Sequence, residues 1–173
     1  MPTSSNKHKS FSYFKKGEKL LTKNNTGEAI KCFEKSLSLD TENANALSGK
    51  GLCYTIQENY IAAIELFNKA IEIDSCNADY YFNKGKAQSH LEEYDNAIKS
   101  FRFAIGLTPN NAEIHEALAQ SYYQNGLYGN NQMNNFQNAI KCYETAIALD
   151  NECSEYFFGM SEALFQNVII LTF

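Results

Sequence analysis

Residues 27–39 read GEAIKCFEKSLSL, and the same arrangement of alanine, aromatic and aliphatic residues follows three more times along the 173-residue chain. In each copy an isoleucine follows the alanine, and an aromatic residue stands four positions after that alanine. The alanines lie 34, 34 and 42 residues apart: Ala29, Ala63, Ala97 and Ala139. The corresponding aromatic residues are Phe33, Phe67, Phe101 and Tyr143. A nearly constant spacing of this size indicates one supersecondary unit repeated in series.

A second pattern repeats upstream of each alanine with the same period. Its marker is a small residue that recurs every 34 positions: Gly17, Gly51, Gly85 and Ala119. Apolar residues around both patterns recur three and four positions apart, which predicts two amphipathic helices in each unit. Because two helices approach closely only where one of them has little bulk, we expect the small residues at the crossing of each helix pair.

The repeated unit resembles the tetratricopeptide repeat, a 34-residue helix–turn–helix family. The second unit matches the family pattern at Gly51, Tyr54, Ala63, Phe67 and Ala70. The first three units carry a lysine where the family usually has leucine: Lys16, Lys50 and Lys84. The resemblance implies an all-α fold, a right-handed superhelical solenoid with four full helix–turn–helix units and a partial fifth.

The unit boundaries follow from the period, and the remaining segments are interpreted by composition. Full units are predicted at residues 10–43, 44–77, 78–111 and 112–153, with a partial unit at 154–167. Residues 1–9 are predicted to be a disordered N-terminus. Within the fourth unit, the polar insertion 127–134 is predicted to be a mobile loop. The alternative is an element that sets binding specificity at one rim of the groove that the resemblance implies. The apolar tail 168–173 either packs on the last helices, mediates self-association, or is the cut end of a longer chain.

Composition and charge exclude several classes of function. The formal net charge is −5 and there is no basic stripe, which argues against a nucleic-acid binder. No apolar run is long enough to span a membrane. The five cysteines are odd in number and form no C-x-x-C pair, which is typical of reduced thiols. These features predict a cytoplasmic protein, with the nucleus as the alternative, and predict neither a metal site nor a cofactor.

The resemblance implies that the first helix of each unit lines a concave groove that binds another polypeptide. The residues predicted to contact the partner are Phe14, Glu18, Leu52, Phe82, Asn83, Lys86, His90, Glu116, Gln120 and Tyr123. Aromatic residues often dominate binding energy, so Phe14, Phe82 and Tyr123 are the expected anchors. The alternative at each position is a side chain that is only solvated or that packs between units.

The predicted function is therefore a scaffold or adaptor for protein–protein interaction. No catalytic motif occurs, so we expect no enzymatic activity. The alternative is a targeting or regulatory fragment of a larger enzyme, such as a glycosyltransferase or a kinase. Some family members bind acidic chaperone tails with a clamp of lysines, asparagines and an arginine, but only Asn83 fits that clamp here. A chaperone-tail adaptor is therefore not expected.

Overall fold

The computed structural model describes residues 3–129 and 131–172. Helices account for 83% of the structure, and no strand occurs within these two ranges, so the fold is all-α. The described helices are α1 (Ser4–Leu21), α2 (Thr26–Leu39), α3 (Ala44–Ile56), α4 (Tyr60–Ile73), α5 (Ala78–His90), α6 (Tyr94–Leu107), α7 (Ala112–Tyr128), α8 (Gln132–Leu149) and α9 (Ser154–Thr172). The predicted order of paired helices is thereby confirmed.

The chain divides into two compact bodies. The N-terminal body comprises residues 1–87 and the C-terminal body comprises residues 88–173. In the N-terminal body α1 pairs with α2, α3 pairs with α4, and α1 lies beside α3. In the C-terminal body α7 pairs with α8, α8 contacts α9, and α7 lies beside α9. The odd-numbered helices therefore neighbour one another within each body.

Asparagine side chains begin several of these helices. The side chains of Asn25, Asn43, Asn59 and Asn111 each accept a hydrogen bond from the backbone N–H three residues later. An asparagine or aspartate at this position satisfies an N–H group that the helix itself leaves without an acceptor. The amide-rich breaks seen in the sequence are thus the capping residues of the repeated units.

Glycines lie at the helix crossings, as the sequence predicts. The ring of Phe33 is fully buried between α1 and α3. A Cβ atom added to Gly17 or to Gly49 would lie 2.6 Å from the nearest ring carbon of Phe33. The same relation holds between Gly51 and Phe67, where the distance would be 2.8 Å. The ring of Phe33 thus packs against the first helices of two units, α1 and α3, and each of these helices needs a glycine where it meets the ring.

Residues 127–134 are predicted to be a loop, and this prediction is wrong for most of the residues that the structure describes there. Residues 127–128 complete α7 and residues 132–134 begin α8, while residue 130 lies outside the described ranges. Helices α7 and α8 contain 17 and 18 residues, four more than the 13 and 14 of α5 and α6. The insertion therefore lengthens both helices of the pair by about one turn.

A second crossing explains why the extra turns are helical. Gly126 lies seven residues after Ala119, and Phe136 lies seven residues before Tyr143. A Cβ atom on Gly126 would lie 2.7 Å from the ring of Phe136, which is only 2% exposed. Because seven residues return a helix to nearly the same face, the small–aromatic contact is repeated two turns further along the pair.

The two ends of the chain also differ from the sequence prediction. Residues 4–9 were predicted to be disordered, but α1 begins at Ser4, and Thr3 caps it by accepting a hydrogen bond from the backbone N–H of Asn6. Residues 168–172 of the predicted tail are the continuation of α9, whereas residue 173 lies outside the described residues. The partial fifth unit is thus one long helix of 19 residues rather than a helix followed by a tail.

Candidate functional site

All ten predicted partner-binding residues lie on odd-numbered helices. In the N-terminal body these are Phe14, Glu18, Leu52, Phe82, Asn83 and Lys86. In the C-terminal body they are His90, Glu116, Gln120 and Tyr123. In each body, we call the solvent side of the odd-numbered helices at these positions the odd-helix face of that body.

Phe14 belongs to the core, and its assignment as an exposed anchor is corrected. Its side chain is only 8% exposed and packs with Ala29, Phe33 and Cys53. The Phe14 and Phe33 ring centroids lie 6.2 Å apart. The periodicity of α1 places Phe14 on the edge of its apolar face, where the neighbouring α3 covers it. Sequence reasoning could not see this, because the burial depends on how closely the two helices approach.

Phe82 and Lys86 form a compact pair on α5. The ammonium nitrogen of Lys86 lies 5.0 Å from the centroid of the Phe82 ring. Lys86 is exposed, while Phe82 and Asn83 are half-buried. A cation held over an aromatic face is attracted by the ring, which orients both groups. This pair can offer an apolar contact next to a positive charge.

Glu18 and Leu52 contribute to the N-terminal body in different ways. Glu18 forms an ion pair with Lys15 at 2.8 Å, and both side chains are well exposed. Such a pair contributes little to stability, and a ligand can therefore displace it at low cost. Leu52 is half-buried and packs against Ala63 and Phe67. Its role is therefore largely structural.

In the C-terminal body, Gln120 and Glu116 are joined by a hydrogen bond. The amide nitrogen Nε2 of Gln120 donates to Oε1 of Glu116 over 2.8 Å. Gln120 is exposed and Glu116 is half-buried. The bond engages the amide nitrogen of Gln120, and the carbonyl oxygen of the same amide is a group that can accept a hydrogen bond from a ligand.

Tyr123 connects α7 with both α8 and α9. Its ring lies 5.7 Å from the ring of Phe136, centroid to centroid. Partial burial raises the pKa of the Tyr123 hydroxyl, the charge of Glu162 raises the pKa further, and a hydrogen bond with Gln166 opposes both effects. Tyr123, Glu162 and Gln166 therefore lie together on neighbouring odd helices.

Helix α9 supplies a row of residues that sequence reasoning did not include. Phe158, Glu162 and Phe165 lie 42 residues after Glu116, Gln120 and Tyr123, which places them at equivalent positions of the next unit. Phe158 and Phe165 are 66% and 64% exposed. The period of the sequence contains the signal that could have found them, because they lie one unit after three of the predicted partner-binding residues.

Charge is distributed unevenly between the two bodies. The N-terminal body holds 12 Lys or Arg and 10 Asp or Glu, a net charge of +2. The C-terminal body holds three Lys or Arg and ten Asp or Glu, a net charge of −7. Helices α7 and α9 carry four glutamates and no lysine or arginine. The odd-helix face of the C-terminal body is therefore acidic, and the few basic residues of that body lie on α6 and α8.

The part of the chain that the structure describes has neither a metal-binding cluster nor a helix that could span a membrane. Within residues 3–129 and 131–172, no group of three His, Cys, Asp or Glu side chains is arranged to hold a metal ion. In the same part of the chain, no helix combines the length and the apolar character that crossing a membrane requires. A surface pocket lined by Lys99, Arg102 and Phe103 lies on α6, away from the odd-helix face.

Comparison with known families and structures complements this geometry. One family model described as TPR repeat matches residues 90–126, and another described as tetratricopeptide repeat matches residues 119–153. The chain belongs to the tetratricopeptide-repeat family. A model of the anaphase-promoting complex (cyclosome) subunit 3 also matches residues 22–104 of this tetratricopeptide-repeat protein. No curated protein matches the sequence.

Solved structures of other tetratricopeptide-repeat proteins share the fold. The MamA protein superposes with a TM-score of 0.79 at 25% identity, over 91% of this chain and 82% of MamA. YrrB, described as a TPR protein with an unusual peptide-binding site, superposes with a TM-score of 0.73 at 22% identity, over 90% of this chain and 77% of YrrB. The first TPR of Spaghetti (RPAP3), bound to the HSP90 peptide SRMEEVD, superposes with a TM-score of 0.65 at 23% identity. The superposition covers 66% of this chain and 91% of the RPAP3 chain.

Proposed function

We propose that this chain is a protein-interaction scaffold that binds a partner polypeptide on its odd-helix face. The observation that carries the proposal is the mixture of groups on that face. Exposed polar side chains such as Lys86 and Gln120 stand beside half-buried rings such as Phe82 and Tyr123. Rings held by the core can anchor a peptide with little loss of side-chain entropy, while the neighbouring polar groups hydrogen-bond its backbone.

Peptide binding by similar folds supports this proposal. YrrB has a peptide-binding site, and the RPAP3 domain was solved with a peptide bound. The RPAP3 peptide is acidic, whereas the odd helices of the C-terminal body here carry four glutamates and no lysine or arginine. Like charges repel at an interface. The proposed partner segment is therefore neutral or basic where it meets α7 and α9, and a chaperone tail is a poor candidate.

The proposed role is non-catalytic and needs no cofactor. The three histidines are separate: His8 lies on α1, His90 at the end of α5, and His115 on α7, where its Nε2 contacts the carbonyl oxygen of Pro109 at 2.8 Å. A cytoplasmic location is part of the proposal. It is supported by the cysteines, because all five lie in the described residues and all five are free thiols.

Affinity purification with surface variants tests the proposal. The variant Lys86→Ala/Gln120→Ala changes one exposed residue on the odd-helix face of each body. We expect a partner that co-purifies with the wild-type chain to be depleted at least about tenfold, since interface contacts of this kind contribute around 1–2 kcal/mol. The matched control is Lys99→Ala/Lys141→Ala, which changes exposed residues on even helices. Equal recovery with both variants would refute the odd-helix face as the binding surface.

Self-association through the end of the chain is an expectation that competes with binding of a partner. Two copies meeting through α9 would bring Glu155 and Glu162 of each copy together, within bodies that each carry a net charge of −7. Like charges brought together at such an interface oppose association at low salt. We therefore propose a scaffold that is monomeric at low ionic strength, and sedimentation velocity measures its mass directly.

A further inference from the structure

The fourth unit carries a hydroxyl group at a position where the first three units have none. The aromatic residue that fills the helix crossing is phenylalanine in those three units and Tyr143 in the fourth. The Tyr143 side chain is only 3% exposed, and it packs on Ala119 of α7 and beside Gly159 of α9. A Cβ atom added to Gly159 would lie 2.5 Å from the hydroxyl oxygen. The absence of a side chain at Gly159 therefore leaves the room that this oxygen occupies between the two helices.

The Tyr143 hydroxyl forms no hydrogen bond with any residue that the structure describes. In the same part of the chain, the fully enclosed side-chain oxygen or nitrogen without a partner is Oδ1 of Asn167. The Tyr143 oxygen is therefore not fully enclosed, and it reaches the surface between α7 and α9. Because the hydroxyl of a buried tyrosine usually has a partner, an accessible tip without one indicates a position for an external group.

The groups around this hydroxyl are two carboxylates and a second tyrosine. Burial raises the pKa of the Tyr143 hydroxyl, and the charges of Glu116 on α7 and Glu162 on α9 raise it further. The hydroxyl is therefore protonated near neutral pH. Tyr123, seven residues after Glu116 on the same side of α7, lies near both Tyr143 and Glu162. We call Glu116, Tyr123, Tyr143 and Glu162 together the Tyr143 site.

The composition of the Tyr143 site determines which ligand fits it. Helices α7 and α9 carry no lysine or arginine, so they supply carboxylates to the site but no cation. The amide of Gln120 donates to Oε1 of Glu116 over 2.8 Å and thereby positions this carboxylate. Carboxylate and phenol oxygens beside an aromatic ring suit a planar cation that has several N–H donors. The guanidinium group of arginine has this shape and this set of donors.

We propose that the Tyr143 site binds the guanidinium group of an arginine side chain, which, on the basis of the proposed function, belongs to the partner segment that meets α7 and α9. The carboxylates of Glu116 and Glu162 accept its N–H donors and neutralise its charge. The phenol oxygen of Tyr143 accepts a further hydrogen bond, and the ring of Tyr123 provides a face for stacking. Lysine satisfies fewer of these contacts, because its three donors surround one point and form no plane.

Nuclear magnetic resonance can follow binding of the side chain alone. Acetyl-arginine-amide is titrated into the isotope-labelled full chain at physiological ionic strength, and acetyl-citrulline-amide serves as the uncharged probe of the same shape. We expect the arginine amide to shift the backbone amide resonance of Gly159, which lies beside the hydroxyl, with a dissociation constant in the millimolar range. The citrulline amide should cause no saturable shift. Acetyl-lysine-amide should bind about threefold more weakly than the arginine amide.

Variants of the chain identify the groups that make the contact. Tyr143→Phe removes only the hydroxyl and introduces the residue that the first three units carry, so the fold should persist. It should weaken binding of the arginine amide about fivefold, through the loss of one hydrogen bond. Glu116→Gln/Glu162→Gln should weaken binding at least about tenfold. The matched control Glu144→Gln/Glu152→Gln removes two charges from exposed positions of the same body and should change the affinity less than about twofold, because salt screens distant charges.

Several results would overturn the arginine site. These are the absence of a saturable shift with the arginine amide, tighter binding of the lysine amide, and equal affinity of the wild-type chain and Tyr143→Phe. Equal weakening by the two double glutamine variants would also do so, since general attraction to an acidic body would then explain the binding. Co-purification separates this site from the proposed function. A partner that is lost with Lys86→Ala/Gln120→Ala, but fully retained by Tyr143→Phe and by Glu116→Gln/Glu162→Gln, would keep the odd-helix face as the binding surface and contradict the arginine site.

Discussion

Replacing Gly49 with alanine perturbs a close helix crossing in the N-terminal body. The new Cβ atom would lie 2.6 Å from both Cε1 and Cζ of Phe33, well inside ordinary van der Waals contact. The ring has no exposed surface, and it also packs on Gly17 of α1, where an added Cβ atom would lie 2.6 Å from Cε1 of the ring. It cannot move away from α3 without pressing on α1. The added methyl group must therefore push the two helices apart.

The expected cost of Gly49→Ala follows from two opposing effects. Overpacking a core by one methyl group costs about 1–3 kcal/mol, and the ring here is confined on both sides, which favours the upper part of that range. Alanine is favoured over glycine inside a helix by about 1 kcal/mol, which offsets part of the cost. The net result is a loss of about 1–2 kcal/mol in the free energy of unfolding.

Urea denaturation followed by circular dichroism measures this loss as a lower midpoint at an unchanged slope. The control is Gly27→Ala in the same body, because a Cβ atom at that glycine meets nothing within 4 Å. This control should be neutral or slightly stabilising. In a Phe33→Leu background, Gly49→Ala should lose most of its effect, since the smaller side chain leaves room. Equal midpoints for Gly49→Ala and Gly27→Ala would refute the argument that the glycines are needed at the crossings.

Three further predictions concern other contacts. Ser36→Ala should destabilise the chain by about 1 kcal/mol, measured by urea denaturation, because the buried Ser36 hydroxyl no longer bonds the hydroxyl and the backbone carbonyl of Ser10; a neutral result would contradict a stabilising role for these bonds. Phe136→Ala should lower the free energy of unfolding by about 3–5 kcal/mol in the same assay, although the residue borders the insertion. A loss below about 1 kcal/mol would indicate that α8 is frayed at this end. In alkylation at pH 8 followed by mass spectrometry, exposed Cys76 should react long before Cys53, since burial raises the Cys53 pKa to about 11; equal rates would show that the core opens readily.

The sequence was sufficient to predict the helix pairs and their crossings. Period and residue size were enough to predict those contacts, as the packing of Gly17 on Phe33 and of Gly51 on Phe67 illustrates, whereas the contact of Gly49 with Phe33 was not predicted. The insertion was misjudged because its asparagines favour loops when they are considered locally. The Gly126–Phe136 contact that makes it helical joins two separate helices, and it becomes visible only when the heptad spacing from Ala119 and Tyr143 is followed outward.

The candidate site could be predicted only in part. The register of the repeat identified which helices carry it, but not how far each side chain is covered. Phe14 and Phe82 occupy the same position in their units, yet Phe14 is 8% exposed and Phe82 is half-buried beneath Lys86. Burial at the edge of an apolar face depends on the approach of the adjacent helix, which composition and spacing do not determine.

Site-specific photo-crosslinking tests the central functional claim most directly. A benzophenone amino acid is introduced at Lys86 or Gln120 on the odd-helix face, or at Lys99 or Lys141 on even helices. All four positions are exposed in the structure. After irradiation in the native cell, the account predicts that the same partner is crosslinked from the two odd-helix positions and from neither of the other two. Crosslinks to a partner from the even-helix positions alone would contradict it.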